Sequence, residues 1–266
     1  MNKYFQIFAI SLQQEFVYKI TFIMWRVRNV LQIFLVFFLW DSVFSDPNKI
    51  VFGYSRAKIL TYIFGLLILK SIVTGGRSND IAGEIADGRL TNYLLKPINY
   101  FKYWFTRDIS VKALNLTFAV IETIGLLLIL NPPFFIQTNI GYLFPFLLFV
   151  VLSLVLFFLL SLIFEMSPFW YPENAWGLMF ILGILVDFLA GGVFPLDILP
   201  QNVQSILYLT PFPYLLFIPI QIYLGKLSPD LLLRSMVIIS VWVLGLSYLV
   251  NRIWNMGLKV YRAEGR

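Results

Sequence analysis

Two carboxylates, Glu122 and Asp187, are the residues of this chain most open to a chemical role, because both sit deep inside long apolar runs. Each lies about 13 residues into its run, a height of roughly 20 Å at 1.5 Å per residue. Facing one shared interior, they would repel each other, and repulsion would keep a proton on one of them. Such a pair suits a cationic substrate or a proton, since ionisable groups within a membrane are functional candidates. A carboxyl held protonated between helices is the plainer alternative. Other chemistry is largely excluded: with no Cys and no His there is no disulfide, no thiol redox couple, no Cys/His zinc site and no His-dependent triad. The segment GGRSND at 75–80 has glycines but lacks the Lys-Ser/Thr that holds phosphate and magnesium.

The elements that carry these residues are membrane helices. Hydrophobic residues make up 59% of the 266 positions and charged residues 13%, far from the composition of soluble domains. Runs long enough to cross about 30 Å of hydrocarbon occur near 23–44, 57–74, 109–130, 142–164, 175–194 and 232–250. A further run at 203–224 is interrupted by Pro211, Pro213 and Pro219, each of which removes a backbone donor. Six spans with both ends cytoplasmic place 15 of the 20 Lys and Arg inside, leaving Lys49, Arg56, Lys58, Lys226 and Arg234 outside. A seventh span would export the basic C-terminal tail, against the positive-inside tendency. The same topology accounts for the net charge of +6 without nucleic acid. The expected fold is therefore an all-α integral membrane domain over 1–266, with 195–224 folded back on the outer side as a re-entrant element. The alternative for that element is a kinked seventh span.

Smaller features follow the same logic. Phe5, Phe8, Leu12, Phe16 and Ile20 recur at helical spacing apart from Lys3, Gln6, Gln13 and Lys19. This predicts an amphipathic helix over 1–22, lying along the inner headgroups or else beginning the first span early. The N-terminus lacks the compact apolar core and small-residue site of a secretory signal and is expected to be retained. Lys70 and Lys112, near the inner ends of spans, are expected to snorkel. Between Glu165 and Glu173, Pro168 and Pro172 predict a solvated turn, with a second partner contact as the alternative.

The densest charge lies in GEIADGRLTNYLLKPINYF, residues 83–101, within the one large cytoplasmic loop, 75–108. Ile81, Ile85, Leu90, Leu94 and Leu95 recur at spacings of short helices punctuated by Gly83, Gly88 and Pro97, and Pro97 ends the second. An amphipathic helix displayed there meets either a protein partner or the lipid surface.

The order of these parts resembles the permease subunit of type-2 ATP-binding-cassette (ABC) exporters, in particular the small six-span kind that pairs with a second permease. The inner motif is Glu84, Ile85, Gly88, Leu90, Leu94, Lys96 and Pro97; the outer one is Gly191, Gly192, Phe194, Pro195, Leu196, Asp197, Leu199 and Pro200. The run TPFPYLLFIP follows, with Pro211, Phe212, Tyr214 and Pro219.

The resemblance implies that Glu84 to Pro97, Leu95 included, couples to a separate ATPase, and that Gly191 to Pro219 forms the outer gate. Asp197 belongs to that element as a capping or loop residue. The resemblance also implies two ATPase copies that carry the ATP and Mg, a second and different permease chain, lipid around the spans, and a place in the cell membrane. On this chain it implies no catalytic residue, metal or cofactor. The rival reading is a channel or secondary transporter without an ATPase, which predicts matched broken helices in both halves; only the second half has one. A lipid-modifying enzyme would need clustered Asp, His, Ser or Cys, and a structural anchor would stand without any ATPase.

Overall fold

The structure is a computed structural model that describes residues 3–17, 19–44, 46, 50–76, 80–174 and 176–262. Lys49, Arg77 and Arg266 of the charge count, Ser78 and Asn79 of the GGRSND segment, and position 175 in the fifth span lie outside the described residues. Among the described residues all regular structure is helical, apart from an isolated bridge between Val51 and Tyr54.

The chain folds into α1 (Lys3–Val17), α2 (Lys19–Val43), α3 (Arg56–Val73), α4 (Asp80–Ala86), α5 (Thr91–Leu94), α6 (Tyr100–Leu130), α7 (Ile140–Glu165), α8 (Gly177–Leu189), α9 (Gln201–Leu207), α10 (Phe217–Tyr223) and α11 (Pro229–Val260). Single 3₁₀ turns lie at Ser167–Phe169, Pro172–Asn174, Leu196–Ile198 and Phe212–Tyr214. Among the described residues four segments are long and apolar enough to cross a membrane: Phe22–Val43, Tyr100–Leu130, Ile140–Phe169 and Pro229–Val260.

Local chemistry sets the helix ends. Ser55, Asn99, Asn139 and Ser228 each accept a backbone N–H in the first turn of α3, α6, α7 and α11. α6 ends on Asn131 in the left-handed region (φ 42°), ahead of Pro132 and Pro133. α8 has only 13 residues, roughly 20 Å. Gly191, at φ +77°, turns the chain away after it, and its carbonyl accepts the Tyr62 hydroxyl at 2.6 Å.

The main core is formed by α3, α7 and α10, which pack on one another, with α2 and α6 against α3 and α11 and α8 against α7. Residues 213–222 are buried throughout. Residues 203–224 do not form one helix: α9, the turn at Phe212–Tyr214 and α10 divide them. α6 begins at Tyr100, so residues 100–108, read from sequence as loop, extend the helix instead. Two of their charges are absorbed locally, while Lys102 is exposed: Arg107 lies over the Trp104 ring at 4.5 Å, and Asp108 pairs with Lys112 one turn on.

Candidate functional site

At one end of the bundle α4 and α5 dock on the ends of α6, α7 and α11 through a second core. Ile81, Ile85 and Leu90 are buried there against Tyr100 and Trp104. Glu84 also turns inward. It is 4% exposed, and its Oε2 accepts Tyr100 Oη at 2.9 Å and Trp104 Nε1 at 3.2 Å. Burial raises its pKa, against hydrogen bonds that favour the charged form. Sequence placed Glu84 among the displayed charges, but donors 16 and 20 residues further on draw it inside.

Gly88, at φ +71°, reverses the chain after α4, and its carbonyl accepts the Tyr261 hydroxyl at 2.7 Å. Tyr261 also accepts the Thr91 backbone N–H at 3.2 Å, so the end of the chain fastens the loop. Trp254 stacks on Tyr100 at 5.0 Å. What remains exposed is a tip of Asp87, Arg89, Asn92, Leu94, Leu95, Lys96 and Pro97. Pro168 and Phe169 of the neighbouring turn are buried beneath α4, whereas Trp170, Tyr171 and Trp176 are exposed.

At the opposite end the Gly191–Pro219 region closes over the start of α3. Asp197 is the centre of its polar contacts, accepting Tyr54 Oη at 3.0 Å and Lys226 Nζ at 2.8 Å. Lys226 also lies 3.2 Å from the centre of the Tyr54 ring, and Gln221 donates to the Tyr54 hydroxyl. Burial lowers the Lys226 pKa, while Asp197 acts in the opposite direction. Asp197 thus ties three segments together and does more than cap a turn.

Leu196, Pro195, Pro211, Tyr214 and Pro219 are buried around these contacts, Phe194 and Phe212 are half-buried, and Pro200 is exposed. Ser153 of α7 donates to the Tyr214 carbonyl at 2.6 Å, which anchors the segment to the bundle. Tyr54 and Gln221 were not singled out from sequence, and Lys226 entered only as one of the outer cations; the aromatic Tyr54 between Gly53 and Ser55 offered only a weak sign.

Between the ends, the structure gives the two embedded carboxylates separate cations. Glu122 of α6 accepts two bonds from the Arg26 guanidinium of α2, with Nε to Oε1 at 2.7 Å. Asp187 of α8 accepts Lys70 Nζ of α3 at 2.6 Å. Arg26 is therefore an ion-pair partner as well as a charge near a span end, and Lys70 engages Asp187. Lys112 does not snorkel: it is 3% exposed and pairs with Asp108, 1% exposed, at 2.5 Å. The carboxylate one turn away offsets part of the cost of burying the ammonium.

Arg26, Lys70 and Asp187 border a cavity of about 630 Å³ lined mainly by α2, α3 and α8, with residues of α1, α6 and α7 completing it. Among the described residues no group of three or more Asp, Glu, His or Cys side chains is placed to hold a metal.

A family model described as ABC-2 family transporter protein matches residues 30–265 of the chain. No curated protein and no solved structure matches it.

Proposed function

The chain belongs to the ABC-2 family of transporters as a multi-pass membrane permease, and from that premise we propose that it forms half of the translocation pathway of an ATP-driven exporter. The observation that carries this reading is the exposed tip within Asp87–Pro97, fastened to α6 by Glu84 and to the end of α11 by Tyr261, with α4 packed on α7. A protruding surface that is rigidly held from behind suits the transfer of force from a partner. The partner is a separate ATPase, two copies of it, which bind ATP and Mg; the second permease is a different chain.

In this reading six helices cross the bilayer: α2, α3, α6, α7, α8 and α11. α3 carries Arg56, Lys58 and Lys70, but it is the most enclosed of them, and Lys70 is paired. α8 is too short to span by itself, and the chain completes the depth through the segment that leads to α10. Non-helical backbone at that depth requires cover by protein, and residues 213–222 are buried. That segment is the re-entrant outer gate.

α1 lies along the inner surface with Phe5, Ile10, Phe16 and Val17 exposed toward lipid. Both termini are cytoplasmic. ATP binding closes the ATPase pair, the tip moves with it, and rigid helices pass the displacement to the outer gate. A substrate shifts this equilibrium only by its different affinity for the two states.

Because the sequence has no cysteine, single-cysteine labelling tests the topology directly. Leu95→Cys is expected to react only with reagent on the cytoplasmic side and Val203→Cys only from outside; the reverse pattern overturns the reading. Purification with an ATPase encoded beside the gene, with chains counted by native mass spectrometry, is expected to give two ATPases and two permeases. Recovery of the permease alone rejects the coupling.

A further inference from the structure

The cavity between α2, α3 and α8 has a composition that selects a ligand. Its volume, about 630 Å³, lies in the range of small-molecule sites. Its charged lining consists of the cations Arg26, Arg28 and Lys70 and the carboxylates Glu15 and Asp187. These groups are not equally available. Arg26 is committed to Glu122 through a nearly enclosed two-bond contact. Lys70 and Asp187 meet through one short bond while 26% and 43% exposed. Arg28 is exposed on the Trp25 ring, 4.2 Å from its centre, and bonds Asn29 at 3.3 Å. Glu15 is buried, 8% exposed, so the reachable charge is two cations and one carboxylate, and that carboxylate meets Lys70 where a ligand's anionic group would. Phe22, Ile33, Val36 and Phe180 supply apolar wall beside them.

We infer that this cavity binds an amphipathic anion, its negative head displacing Asp187 from Lys70 and its apolar part lying along α2 and α8. The inference rests on the permease reading and names the substrate class of that site. It also supplies a route to the outer segment. A Cβ on Gly192 would lie 3.0 Å from Lys70 Cε and 3.1 Å from Asp187 Oδ1, so the ion pair rests directly on the turn that ends α8. Displacing Asp187 removes this bond between α3 and α8 beside the turn that leads to the outer segment.

The test uses the purified full chain in nonionic detergent and three probes: dodecyl phosphate, dodecyltrimethylammonium with the same tail, and inorganic phosphate. Calorimetry is expected to show saturable binding of dodecyl phosphate that exceeds that of the other two. Lys70→Gln is expected to weaken it about tenfold or more, the scale of one charge-assisted hydrogen bond, and Arg28→Gln, at an exposed position, by a few-fold. The diagnostic variant is Asp187→Asn, which is expected to tighten dodecyl phosphate because it removes the competing carboxylate. A merely structural ion pair predicts no gain, and a cation site predicts a loss of dodecyltrimethylammonium binding instead.

Native mass spectrometry after extraction from bilayers containing phosphatidylglycerol separates the two sources of such an anion. Retained lipid that is lost in Lys70→Gln and displaced by dodecyl phosphate indicates a membrane lipid; dodecyl phosphate binding without retained lipid indicates a soluble amphiphile. Dodecyl phosphate affinity unchanged in both Lys70→Gln and Arg28→Gln, unchanged or weaker binding in Asp187→Asn, or preference for the ammonium overturns the inference. These readouts need neither ATP nor an ATPase, so their failure leaves the coupling reading to its own co-purification test.

Discussion

The two ends of the molecule fasten a loop to the helix bundle around one carboxylate each, and they do it by opposite means. At Glu84 the donors are neutral, a phenol and an indole, enclosed by Tyr100, Trp104 and Trp254. At Asp197 one donor is an ammonium, and the pair sits closer to water, Lys226 and Asp197 being 19% and 23% exposed. Hydrogen bonds from neutral donors in an apolar enclosure are strong and little affected by salt. Partly exposed charge pairs contribute less and are screened. Under the proposed function, the difference suits one end holding its shape under load and the other opening and reclosing.

The largest effect expected from this contrast is at Trp104, fully buried at the centre of the Glu84 end. Trp104→Ala is expected to cost about 3–5 kcal/mol, the usual penalty for emptying a large aromatic site, and to leave Glu84 with one donor fewer. Thermal unfolding in detergent measures it, and limited proteolysis should show cleavage near α4 and α5 first. Loss of the outer segment first would reverse the assignment of the stiff end.

Next comes Gly191→Ala. An added Cβ would stand 2.7 Å from the Tyr62 hydroxyl, on backbone at φ +77°. Steric crowding and left-handed strain together cost about 1–3 kcal/mol. The expected result is a lower melting temperature with unchanged resistance at the α4–α5 end.

Asp197→Asn is smaller still. The amide retains an acceptor for Tyr54 but loses the attraction to Lys226, a loss of about 1 kcal/mol or less at this exposure. Its difference from the parent protein should shrink as salt is added, whereas the cost of Trp104→Ala should not. A salt-independent Asp197→Asn would mean that shape, and not charge, holds the outer segment.

Much of this contrast was out of reach of the sequence. Apolar runs place helices well, and the run read at 57–74 falls on α3, Arg56–Val73. The prolines at 211, 213 and 219 did signal broken helix, because each removes a donor wherever it falls. Partners did not show. Arg26 and Glu122 are 96 residues apart, Lys70 and Asp187 are 117, and Tyr54 and Asp197 are 143. Hydropathy carries no information on which helices adjoin, so each charge was read alone. Glu84 was misread for the same reason: a carboxylate in a charged stretch reads as exposed until the donors that enclose it are known. Residues 100–108 looked like loop because Lys102, Arg107 and Asp108 interrupt the apolar pattern, yet pairing along a helix tolerates such charges.

The last prediction uses that buried carboxylate to test the neutral-donor end by itself. Burial raises the Glu84 pKa above its ordinary 4.5, so the folded state binds a proton that the unfolded chain does not in the interval above 4.5. Stability therefore falls as pH rises through that interval, and the penalty for the charged form is complete above the folded pKa. Glu84→Gln keeps an acceptor for Tyr100 and Trp104 but carries no such penalty at any pH. Its melting temperature relative to the parent protein should accordingly be highest at neutral pH and decline as the pH is lowered toward 4.5. A difference that stays constant with pH, or grows as the solution is acidified, would mean that Glu84 is held as a stabilised anion. The α4–α5 end would then share the electrostatic character of the Asp197 end, and the mechanical asymmetry between them would go with it.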